Sequence, residues 1–166
     1  MRKNDLLIKI GLSVSYASVL VLMLLEWFSQ PKVEPVRQFV THETGLSILE
    51  LVVIGIVVVF LLGLILLYSQ SGIYILFLRF FHVSKNQRTK VFPAVVLSMC
   101  LVGSIFLMGS MFVDITHPVI LFTVPAAVLL LNSLLFYLLG KDKKGFSIIF
   151  ALSIAMYAVN SLLNQI

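Results

Sequence analysis

Charged residues make up only 11% of this 166-residue chain, against about a quarter in an ordinary soluble domain. That shortage, with a 60% hydrophobic share and a mean hydropathy of +1.11, excludes a water-soluble globule. There is a single cysteine, Cys100, so neither an internal disulfide nor a CxxC redox pair can form. It lies in the middle of an apolar run, where a thiol stays protonated and inert, and reads as a small packing residue. Chemical signatures are missing as well. There is no GxxxxGK phosphate loop, no HExxH zinc helix, no GxSxG elbow and no acidic EF-hand loop. The sequence therefore assigns no catalytic residue, no cofactor and no metal.

What the chain has is apolar length. Five runs stand out, at about 6–28, 46–68, 91–113, 118–139 and 146–163. A span needs roughly 20 apolar residues to cross about 30 Å of hydrocarbon, so these runs use most of the chain. Alternating ten-residue segments of a membrane barrel are absent, and helices satisfy their own backbone in lipid. The expected fold is all-α: one polytopic membrane domain, residues 1–166, with five transmembrane helices. The first run is too long for a signal-peptide core and lacks a small-x-small cleavage site, so it is expected to stay as a span.

The few charges sort by side. With the N-terminus inside, the inner side receives Arg2, Lys3, Lys9, Arg79, Lys85, Arg88, Lys90, Lys141, Lys143 and Lys144 against Asp5 and Asp142, a net of +8. The outer side receives Lys32 and Arg37 against Glu26, Glu34, Glu43, Glu50 and Asp114, a net of −3. Lys and Arg are retained on the cytoplasmic side during insertion, so the reading is N-in and C-out in a bacterial-type cytoplasmic membrane. The pI near 9.5 then reflects topology and anionic lipid, and no nucleic acid is expected as a partner.

The stretch from 46 to 83 is too long for one span and too short for two. Ser69, Gln70, Ser71 and Gly72 interrupt it near the inner face, and Ile73–Val83 is expected as an in-plane amphipathic helix. Arg79 and His82, with Lys85 beyond, would then contact lipid headgroups; the competing form is a long second helix running on into the cytoplasm. Prolines at 31 and 35 point to an extended outer loop over 30–37. Ser147, Ala151 and Ala155 recur at intervals of four, the spacing of a helix-packing face. Ser98, Asn132 and Ser133 fall within spans and are expected to bond between helices.

Glu50, Asp114, Glu26 and His117 form the candidate outward-facing polar site, with His42 and Glu43 nearby. Glu50 is the sharpest of them, because it lies about one turn inside an apolar run, where a carboxylate faces protein or water. The functional expectation is a small integral membrane protein acting as an accessory or interaction subunit of a membrane assembly, or as an immunity-type protein. Its partners are membrane lipids and a membrane protein or further copies of itself. The alternative is a small ion-coupled carrier using the outward carboxylates. An intramembrane enzyme acting on lipid comes third.

Overall fold

The computed structural model describes residues 3–110 and 118–163. Seven α-helices follow in order: α1 (Lys3–Ser29), α2 (Glu34–Thr44), α3 (Ile48–Phe80), α4 (Lys85–Arg88), α5 (Val91–Ser110), α6 (Pro118–Gly140) and α7 (Lys143–Leu163). No strand occurs among the described residues. Four helical stretches are long and apolar enough to cross a membrane: Leu6–Ser29, Ile48–Phe80, Lys85–Gly109 and Phe122–Gly140. The all-helical membrane-type fold expected from composition is thus present.

Two local expectations are corrected. The segment over 30–37 is helical rather than extended: a 3-10 turn, Pro31–Val33, leads directly into α2. Both prolines occupy first-turn positions. Amides there have no intrahelical acceptor, so a proline starts a helix at no cost in hydrogen bonds. Gly45 then ends α2 at φ 68°, its N–H donating to the Thr41 carbonyl at 3.0 Å, a left-handed cap that suits glycine.

The second correction concerns α3, which runs 33 residues without a break at Ser69–Gly72. Its buried residues, Gly63, Leu67, Ser71, Tyr74 and Leu78, follow one another at intervals of three or four and so lie on one face. That face passes straight through the expected interruption, and core packing on both sides of it holds the helix together. Only after Phe80 does the chain turn. His82 adopts φ 56° and donates its N–H to the Arg79 carbonyl at 3.1 Å, while Val83 donates to the Leu78 carbonyl at 2.9 Å. This is a Schellman motif. Its accompanying apolar contact is supplied by Val83 and Leu78, both members of the buried core. His82 therefore lies beyond the helix that carries Arg79.

The helices pack around α5, which meets α1, α3 and α6; α7 meets α6 and α3, and α1 meets α3. The core gathers Leu67, Tyr74, Leu78, Val95, Phe136 and Ile149. These come from the second half of α3, the first half of α5, the second half of α6 and the first half of α7. The bundle is therefore packed most densely at the end where α3 and α6 finish and α5 and α7 begin. Gly140 closes that end: a Cβ there would strike the Gln87 side chain, whose Nε2 donates to the Gly140 carbonyl at 2.9 Å and ties α4 to α6.

Candidate functional site

Two features stand out in the bundle, one polar and buried, the other apolar and open. The polar one is a layer contributed by Ser71 and Tyr74 of α3, Ser98 of α5, Asn132 and Ser133 of α6 and Ser153 of α7, all buried. By helical rise they stand within roughly 10–15 Å of the densely packed end. Tyr74 Oη lies 2.9 Å from Ser153 Oγ, and Ser153 Oγ lies 3.3 Å from Ser133 Oγ. This chain of hydroxyls joins α3, α7 and α6 where lipid-like surroundings offer no competing water. Ser133 also donates to the Leu129 carbonyl at 3.1 Å.

The polar residues read from sequence as interhelical partners divide accordingly. Ser133 does bridge helices. Ser98 does not; it donates to the Val95 carbonyl of its own helix at 2.8 Å. Asn132 is 1% exposed, and neither its Oδ1 nor its Nδ2 has a protein partner. A buried amide left in that condition costs about 1–3 kcal/mol. Tyr74 and Ser153, the strongest pair in the layer, escaped sequence reading because Tyr74 sits in the segment read as in-plane.

The apolar feature is an open cleft of about 580 Å3 lined by α1, α3, α5, α6 and α7. Met23, Met99, Met156 and Pro125 supply apolar wall, and Tyr16 and Gln70 bring polar atoms. It reaches the level of the polar layer on α3 and α5, where Ile73 and Met99 line it, and lies about one turn beyond it on α6 and α7, where Leu129 and Met156 do. The volume is that of a small-molecule site, about 300–1,000 Å3. No carboxylate, imidazole or amine lies among the described lining residues, so the walls suit apolar matter rather than acid–base work. Pro125 lies inside α6 without ending it.

The rim residues take different places. Glu50 is exposed: its carboxylate accepts from Ser47 N at 2.8 Å and Ser47 Oγ at 2.7 Å, while Ser47 Oγ accepts from Glu50 N. These are the reciprocal bonds of a capping box, and they account for a carboxylate at the head of an apolar helix without a ligand. Glu26 is half-buried near the end of α1. Asp114 and His117 lie outside the described residues. His42 is exposed, with Nδ1 3.8 Å from the Glu43 carboxylate, and no cluster of three or more metal-type side chains occurs among the described residues.

At the opposite end Arg79, His82 and Lys85 are all exposed. Ser147, Ala151 and Ala155 are exposed too, with Ala158 continuing the row, while the other face of α7 carries the buried Gly145, Ile149 and Ser153. The small-residue face is therefore left uncovered by the described helices. Comparisons with protein-family models, with curated proteins and with solved structures find no match.

Proposed function

We propose that the chain is a five-span membrane protein, N-terminus inside and C-terminus outside, that works as an interaction subunit of a larger membrane assembly or as an immunity-type protein. In this reading α7 is the fifth span. The orientation rests on the net +8 of the inner segments against −3 of the outer ones. At about 1.5 Å per residue α3 measures roughly 50 Å, some 20 Å more than the hydrocarbon is thick. Its last turns, with Arg79 and the 76%-exposed Phe80, then reach the inner headgroup region, taking the surface role first given to a separate in-plane helix.

One observation carries the functional reading: the outward face of α7. The exposed surface of α3 is built of large apolar side chains such as Val53, Val57, Leu61 and Ile65, which lipid covers well. Ser147, Ala151, Ala155 and Ala158 instead present small side chains in a row. Such rows let another helix approach closely, and close packing drives helix association in lipid. The carrier reading has no comparable support, because the Glu50 carboxylate is engaged in its cap.

Replacing Ala151 and Ala155 together by Leu tests the proposal. Overpacking a helix contact costs about 1–3 kcal/mol, a loss of roughly 5- to 150-fold in association. The double variant is expected to insert normally and to lose its high-mass complex on native gels of gently solubilised membranes. Val57→Leu on the α3 surface serves as control and leaves the complex intact. A double variant with unchanged complex size and protein level means that lipid covers this face.

A further inference from the structure

A second, smaller cavity of about 250 Å3 lies at the basic end of the bundle, lined by Lys9, Ile75, Lys85, Arg88, Thr89 and Phe92. Three cationic side chains from two helices thus surround one space. Their placement follows from the fold. Lys9 comes from α1, where its ammonium is held 5.6 Å from the centroid of the Phe92 ring, a cation–π contact that keeps it beside the bundle. Lys85 and Arg88 come from α4, a four-residue helix fixed from three sides. Ser84 caps it by accepting from Gln87 N at 3.4 Å, Gln87 bonds to the Gly140 carbonyl, and the preceding Val83 is buried in the core. The cations are therefore positioned by packed elements rather than by a free loop.

Among the described side chains no carboxylate pairs with them. The ion pairs of the described side chains are Arg37 with Glu34 and His42 with Glu43, and neither involves Lys9, Lys85 or Arg88. Asp142, a carboxylate of the same end, accepts from Lys144 N at 3.1 Å at the start of α7. Arg88 Nε is buried without an acceptor. The lining brings together one guanidinium and two ammonium groups, a donor set for an oxyanion. The Thr89 hydroxyl donates to the Asn86 carbonyl at 2.7 Å and keeps only lone pairs for the pocket, so the recognition is by charge and by the Arg88 fork.

We propose that this pocket binds a phosphate oxyanion, the headgroup phosphate of an anionic phospholipid. Its chemistry is that of a phosphate mono- or diester, whether carried on a lipid or on a soluble ester. The lipid source is favoured by the position and the walls. The pocket lies where α1 and α5 begin and α3 ends, the level at which candidate spans meet the polar boundary. Ile75 and the 4%-exposed Phe92 give it an apolar wall continuous with the bundle, suited to the glycerol end of a lipid. The volume accommodates a headgroup and leaves the acyl chains outside. Basic pockets between helices at a membrane surface recognise anionic lipid in this way. The site is separate from the α7 face and does not depend on a partner subunit.

The test uses the full chain purified in uncharged detergent, with phosphatidylglycerol, phosphatidylcholine and inorganic phosphate as probes. Bound lipid is counted by native mass spectrometry. The wild type is expected to retain one phosphatidylglycerol in preference to phosphatidylcholine. Lys9→Gln and Arg88→Gln should each weaken retention at least ~5-fold, and together abolish it. Lys9→Arg, which keeps the charge, should retain binding and shows that the fold tolerates change there. Lys143→Gln with Lys144→Gln, exposed bases of the same end, should bind as wild type. Displacement of the lipid by millimolar inorganic phosphate would assign the pocket to soluble phosphate esters; resistance assigns it to lipid. Equal losses in the Lys143/Lys144 variant, or no preference for phosphatidylglycerol in the wild type, would overturn the pocket in favour of diffuse surface charge.

Discussion

The hydroxyl chain through Tyr74, Ser153 and Ser133 makes an asymmetric prediction. Tyr74→Phe removes one hydroxyl, yet leaves Ser153 Oγ still 3.3 Å from Ser133 Oγ. Its expected cost is that of a single buried bond, about 1 kcal/mol. Ser153→Ala is worse. It leaves Tyr74 Oη without a partner on a side chain with 0% exposure, and an orphaned buried hydroxyl costs about 1–3 kcal/mol. Ser133 loses less, because it keeps the Leu129 carbonyl at 3.1 Å. In the double variant no hydroxyl is left stranded, so the two changes should not add. The coupling expected for such a pair in a helical membrane protein is about 0.6 kcal/mol and at most ~1.7 kcal/mol. Titrating dodecyl maltoside micelles with sodium dodecyl sulfate gives the unfolding free energy, with Trp27, the single tryptophan, as the fluorescent probe. Zero coupling, or a Tyr74→Phe cost larger than that of Ser153→Ala, would refute the bond and with it the joining of α3 to α7.

Asn132→Leu should stabilise the protein by about 1–3 kcal/mol in the same titration, since it replaces an amide with no protein partner by an apolar side chain of similar size; destabilisation would show that the amide is satisfied after all. For topology, a Cys100→Ser background carries single cysteines at Gln38, Asn86 and Lys144, all exposed positions. A membrane-impermeant thiol reagent should label Gln38→Cys in intact cells and leave Asn86→Cys and Lys144→Cys untouched. Labelling at Lys144 would remove the N-in, five-span reading.

Sequence alone determined the class of this protein, because hydropathy is additive along the chain. Charge scarcity and run length were enough for helices long enough to span a bilayer, and the spans at 6–28 and 118–139 lie close to α1 and α6. Small local codes were partly legible. The Ser47–Glu50 capping box was missed, and its carboxylate was singled out as a candidate site instead; the alanine row on α7 was readable as a face, though not as one left exposed by the described helices. Tertiary structure decided the rest. Whether α3 breaks at Ser69–Gly72 depended on which neighbours its buried face meets. Leu67, Tyr74 and Leu78 are all at 0% exposure, and their packing against other helices outweighs the weak local signal of two serines, a glutamine and a glycine. Likewise, nothing in the linear order places Lys9 beside Arg88 or Tyr74 beside Ser153, 79 residues apart. Those meetings follow from how helices stack, and stacking is set by shape across many residues at once.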